Sequence, residues 1–257
     1  MFENIIKFSA VKEYVEAESE KDTFPVPIKF NIPEWFKKLD HTVHKFTVKG
    51  CLPFLDTLTS GYLLKTPQDM LIQHGIEINK DDPNNSNKKG SFNKCPYKRS
   101  AFTEINLGAI TDGEGNFNHN WQAEGWPDLK KNHGGPVHKF VNPWHIKTPK
   151  GYSCLFLPVL NNNDDRFEII PGIVDTDEYT QEINFPMLLN GYKYPMPIEF
   201  VIKRATPYVQ IFPFKRESWK MKIETRENKE RSFINSLFST NLINSYKLKH
   251  WKKKSYK

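Results

Sequence analysis

The chain has 257 residues and a formal net charge of +7, enough length for one large β domain or a domain with a small appendage. A mean hydropathy of −0.64 and the lack of any apolar run of about 18 residues exclude a transmembrane helix. Three scattered cysteines (Cys51, Cys95, Cys154) without a CxxC pair exclude a zinc ribbon or disulfide framework and point to a reducing cytoplasm.

The N-terminal MFENIIKFSAVKEYVEAESEK carries Glu3 and no long apolar stretch, so it does not read as a secretory leader. In KDTFPVPIKFNIP (21–33), Val26, Ile28, Phe30 and Ile32 alternate and predict an edge strand bounded by prolines. Pro33 ahead of Trp35 and Phe36 predicts a helix start. Apolar residues at 51, 52, 54, 55 and 58 predict a short buried helix, with Gly61 near its stop. DMLIQHGIEIN reads as a strand from Met70, and the polar stretch 81–94 as an exposed, mobile loop.

From 101 to 211 short strand signals follow one another: FTEINLGAI, KFVNPWHIKTP, YSCLFLPVL, FEIIPGIVD, EINFPMLL, IEFVIKRATP and YVQIFPF. Each is bounded by Gly, Pro, Asn or Asp. The pattern predicts a mainly β fold, an antiparallel β-sandwich or jelly-roll-like body with short helices. Alternation in YSCLFLPVL places Leu155, Leu157 and Val159 on one face, in one expected core with Val141 and Ile146. Asn190-Gly191 is a type I′ turn signal. Beyond Asn228, the helical spacing of Phe233, Ile234, Leu237, Phe238, Leu242, Ile243 and Tyr246 predicts a C-terminal amphipathic helix that packs on the body or on another chain. The expected organisation is a β-rich body, 1–214, and a C-terminal helix with a basic tail, 215–257.

Charge supports that division. From Lys215 onward thirteen basic and four acidic side chains sum to +9, which leaves −2 for the body. The body therefore has no nucleic-acid footprint. The tail, with Lys252, Lys253 and Lys254, is the expected electrostatic contact for an acidic partner or nucleic acid, or else a solvated end. The 31 Lys against 6 Arg, with 22 Asn, suggest a low-GC genome.

Candidate chemistry concentrates between 133 and 179. His133, His138 and His145 lie close in sequence, and a non-haem iron site needs two His and a carboxylate around an open position. No HxD or HxE occurs, Pro136 and Pro143 break the strand, and His74 and Glu77 are wrongly spaced to share a strand face. No metal and no cofactor are expected. Asp175 and Asp177 share a face if extended and fit a cation or an acid–base pair, or a turn in which each bonds backbone. Trp144, with Trp121, Trp126, Tyr152 and Tyr179, offers ring faces for a sugar or base, or simply core. Nucleophile-elbow, P-loop and dinucleotide motifs are absent.

Four segments, KGCLPFLDTLTSGYLL, KFVNPWHIKTPKGYSCLFLPVLN, GIVDTDEYTQEINFP and the closing KHWKKKSYK, together resemble a conserved family of marine tailed phages, with related domains in some bacteria. The resemblance runs from about residue 25 to the end and is most specific at NPWxIxTPxGYS. It implies a viral source, hence host cytoplasm or virion, and no particular activity or catalytic residue. Three functions follow as expectations. The first is a non-enzymatic phage-type protein, virion-associated or an interaction module. The second is a cupin-like non-haem metal oxygenase, and the third a small-ligand or glycan-binding module.

Overall fold

The computed structural model describes residues 4–42, 44–74, 92–94, 125–132, 137–225 and 245–257. Most of the expected loop at 81–94, the strand at 102–110, His133 and the amphipathic helix from 228 to 244 lie outside the described residues. Strands dominate, as the alternation predicts, and the helices are short. The chain divides into two compact units, Met1–Val26 with Gly61–Lys215, and Pro27–Ser60 with Arg216–Lys257. Sequence alone assigns 27–60 to the body, whereas contacts group them with the tail.

The larger unit holds β1 (Lys7–Ser9), α1 (Lys12–Glu16) and most of the strands. Its central sheet has the order β10-β8-β13-β3-β2, formed by β2 (Val26–Pro27), β3 (Tyr62–Lys65), β8 (Tyr152–Leu157), β10 (Gly172–Val174) and β13 (Pro207–Lys215). A second sheet, β6-β11-β9, joins β6 (His138–Phe140), β9 (Phe167–Ile169) and β11 (Phe185–Leu189). A third, β12-β4-β5, joins β4 (Met70–His74), β5 (Phe92–Lys94) and β12 (Ile198–Ile202). β7 (His145–Lys147) pairs with β1. β8 runs antiparallel to both β10 and β13, β13 to β3, β11 to β6 and β9, and β4 to β12 and β5.

One apolar core draws on all of these sheets: Leu64, Cys154, Phe156, Val209 and Ile211 from the first, Phe140, Ile169, Phe185 and Met187 from the second, Met70, Ile72 and Ile198 from the third. Rings bridge the sheets. Phe156 lies 5.3 Å from Phe185, and Tyr208 stacks on Phe140 at 4.6 Å. Tyr208, Val209, Gln210 and Ile211 are all buried, the mark of a strand covered on both faces.

Four local expectations are corrected. In β8 the core face is Cys154 and Phe156, while Leu155, Leu157 and Val159 are only half-buried. Both alternating sets are apolar, so a period of two cannot choose between them; the position of Phe185 does. Segment 21–33 keeps only the two residues of β2 as strand, between 3₁₀ turns at Glu18–Thr23 and Ile28–Phe30, because Pro25, Pro27 and Pro33 supply no ladder donor. Asn190-Gly191 closes no hairpin. Neither residue has positive φ, and the Lys193 and Tyr194 N–H groups both donate to the Asn190 carbonyl in a helical turn. Phe92–Lys94, read as loop, pair with β4.

The smaller unit contains α2 (Glu34–Lys38), α3 (Leu52–Thr57) and α4 (Ser245–Lys249). Pro33 precedes α2 and Pro53 opens α3, as their fixed φ favours. The Phe36 and Phe54 rings stack at 5.9 Å. Asp56 accepts from the Trp251 indole N–H at 3.2 Å and from Lys254 Nζ at 2.5 Å. Lys252, Lys253 and Lys254 are all exposed, as their charge predicts, but Lys254 is not free: it pairs with Asp56. Burying an aromatic body beside an available carboxylate favours this docking over full solvation.

Candidate functional site

The histidines separate. His138 is buried on β6, while His145 is half-buried on β7, with Nε2 3.4 Å from the Tyr179 carbonyl. The partner of His138 is His74, at the end of β4, with His74 Nδ1 and His138 Nε2 3.0 Å apart. His74 Nε2 is 2.9 Å from the Asn132 carbonyl, which can only accept. A neutral His74 therefore donates from Nε2 and accepts at Nδ1 from the His138 Nε2–H. Asn132 is itself buried and takes the Leu189 N–H on its side-chain oxygen at 3.0 Å. Burial, then the neighbouring His74, pushes the His138 pKa down to about 3. The dyad thus ties β4, β6 and β11 to the 3₁₀ turn Pro127–Asn132. Among the described residues no group of three or more His, Cys, Asp or Glu is placed to hold a metal ion.

The two aspartates form a clamp on the β7–β8 turn. Asp177 Oδ2 accepts the Gly151 N–H at 2.7 Å, and the Asp177 carbonyl accepts Lys147 Nζ at 2.5 Å. Asp175 Oδ1 accepts the Ser153 hydroxyl at 2.6 Å. Between them Thr176 meets the Thr148 hydroxyl at 2.7 Å and donates to Cys154 Sγ at 3.3 Å. Burial pushes the Cys154 thiol up to about 11, although the Thr176 bond opposes it, so this thiol stays protonated. Gly151 has φ +85°, which the tight turn after Pro149 requires and a side chain would resist. The TPxGYS and DTD segments are therefore two halves of one structural lock.

Trp144 is core: 3% exposed, its ring 5.4 Å from Tyr14 and 5.2 Å from Phe24. Its backbone is held by Asn142, whose side chain accepts the Trp144 N–H at 3.1 Å and donates to its carbonyl at 2.6 Å. This bracket around Pro143 explains NPW as a corner rather than a ring platform.

The structure instead assembles a pocket that the sequence reading does not single out. It has a volume of about 220 Å³ and lies over β9 and the start of β13. Phe167, Ile169, Pro207 and Tyr208 line its apolar side. Burial holds the Tyr208 phenol well above its usual pKa, so it remains neutral. The polar rim comes from Lys131, Asn162, Asp164, Asp165, Glu168 and Asn190. Each rim carboxylate has a cation: Lys131 on Glu168 at 2.5 Å, Arg166 on Asp164 at 2.6 Å, and Lys193 on Asp165. Lys193, then Tyr194, holds the Asp165 carboxyl below its ordinary range. Among the described residues, Glu168 Oε2, Asn190 Oδ1 and the Asn162 amide take no hydrogen bond from other protein groups. The run NNNDDR at 161–166 is the one sequence trace of this rim, and by composition it reads as an ordinary polar loop.

No helix among the described residues is long and apolar enough to cross a membrane. In comparison with known proteins, the chain matches no protein family and no curated protein.

Proposed function

We propose that this chain is a non-enzymatic, phage-type β-rich protein of the host cytoplasm or virion, and that its larger unit binds a small ligand in the Phe167–Tyr208 pocket. The observation that carries this reading is the pocket itself: an apolar floor, a rim of charges already matched in pairs, and three polar groups on that rim with no protein hydrogen bond among the described residues. The non-enzymatic part is supported by the occupation of the strongest chemical candidates. His138 bonds His74, Asp177 bonds Gly151, and Asp175 bonds Ser153, each within the fold. The finer architecture belongs to the same proposal. Phe156, Phe185, Phe140 and Tyr208 interleave between the first and second sheets, which supports a sandwich of the jelly-roll kind.

A thermal-shift screen of the full chain against a library of small polar metabolites tests the ligand reading. A bound compound should raise Tm by several degrees at saturating concentration. Val159→Trp, which fills the pocket from its half-buried wall, should abolish that rise while leaving the unliganded protein folded. A screen without hits, or hits indifferent to Val159→Trp, would remove the pocket from the function.

A further inference from the structure

We infer that the pocket over β9 takes a neutral polyhydroxylated ring, a single monosaccharide unit; this rests on the ligand-binding reading above and names the ligand class. Size comes first. A cavity of about 150 Å³ holds benzene, so about 220 Å³ accommodates one six-membered ring with its substituents. It lies below the roughly 300–1,000 Å³ of sites for drug-sized ligands, which argues against a nucleotide or a peptide.

Charge comes second. Three carboxylates reach the rim, and each is matched by its own cation, Lys131, Arg166 or Lys193. Among the described lining residues, an anion would face these carboxylates with no unspent cation to meet it. A cation would have to displace one already in place. A neutral ligand disturbs none of the pairs.

Hydrogen-bond capacity comes third. Glu168 Oε2 and Asn190 Oδ1 are acceptors, and the Asn162 amide both donates and accepts. Hydroxyl groups, each a donor and an acceptor, satisfy that mixture. The remaining wall, Phe167, Ile169, Pro207 and Tyr208, meets carbon. A pyranose has the required two-sidedness, with C–H groups on its faces and hydroxyls around its edge, and an aromatic or apolar floor receives such a face.

Titration of the full-length protein with D-glucose, D-galactose, D-mannose and N-acetylglucosamine, followed by ligand-observed NMR, tests the inference, with inorganic phosphate and putrescine as the charged comparisons. At least one sugar should bind saturably in the millimolar range. Asn162→Ala, in an exposed loop, should weaken it tenfold or more, and Val159→Trp should abolish it, with both variants melting as cooperatively as wild type. Phosphate or putrescine binding that Val159→Trp removes, without sugar binding, would overturn the sugar inference and leave the ligand-binding reading standing. Sugar binding unaffected by either variant would place it elsewhere and overturn the inference. Binding by none of the probes overturns the sugar inference alone, and the metabolite screen then decides the broader reading.

Discussion

Among the described residues of the larger unit, Arg204 makes the most side-chain hydrogen bonds of any charged group, and its removal should be among the costliest single changes outside the apolar core. Its guanidinium donates to Glu20 Oε2 at 2.8 Å, to Asp22 Oδ1 at 2.5 Å, to the Pro67 carbonyl at 2.8 Å and to the Ser19 carbonyl at 2.5 Å. The partners differ in burial. Asp22 is 57% exposed, so water replaces most of what it loses, a cost of about 0–1 kcal/mol. The Glu20 side chain is only 3% exposed, so Arg204→Ala leaves a carboxylate buried with a single 3.3 Å bond from Ser19. Breaking one side of a buried pair costs about 3–5 kcal/mol, and Glu20 sets the total. Urea unfolding of Arg204→Ala at pH 7 should show that loss with an unchanged m-value. Arg204→Ala/Glu20→Leu should recover part of it, because removing both partners strands no charge. A loss under about 1 kcal/mol, or a double variant no more stable than Arg204→Ala, would refute the argument. The pH dependence has a definite sign. The Arg204 hydrogen bond lowers the Asp22 pKa, so this contribution is present above about pH 4 and disappears as pH falls through the lower folded value. In Arg204→Ala this contribution is lost, so the fall in stability below about pH 4 should be shallower than in wild type.

The His138 pKa, depressed by burial from 6.5 to about 3, predicts a second acid effect. Between these values the unfolded chain takes up a proton that the fold refuses, so stability is full above about pH 6.5 and falls by about 1.4 kcal/mol per pH unit below it. Between pH 6.5 and 5, where most carboxylates do not titrate, His138→Gln should flatten that slope in urea midpoints; an unchanged slope would place the effect on another group. The β8 register predicts that Phe156→Ala costs about 3–5 kcal/mol and Leu157→Ala clearly less, and the reverse order would restore the face expected from alternation. In the smaller unit, Asp56→Ala removes the acceptor of Trp251 and Lys254, so trypsin should cut after Lys252 to Lys254 several times faster than in wild type; equal rates would mean that Asp56 does not hold the tail.

Local patterns were enough for the class of fold. Alternation between Pro, Gly and Asn breaks reads as short antiparallel strands, and Pro33 and the apolar set around Leu52 read as helices, because these signals act within a few residues of themselves. The short elements β1, α1 and β3 leave no local signal, since three to five residues make too little pattern to separate from loop. Where two apolar sets alternate in one strand, as in YSCLFL, the sequence contains both answers, and only the opposing sheet selects Cys154 and Phe156. The site shows the same limit more sharply. His138 is visible as a histidine, but its meaning depends on His74, sixty-four residues away. Asp175 and Asp177 look like paired acids until Ser153 and Gly151 are brought against them. Lys131, the NNNDDRFE stretch and Tyr208 are separate segments, and apart from that polar run nothing local marks them as one site. Folding puts their side chains around one space, and charge pairing and burial, which exist only after that assembly, decide what chemistry the space offers.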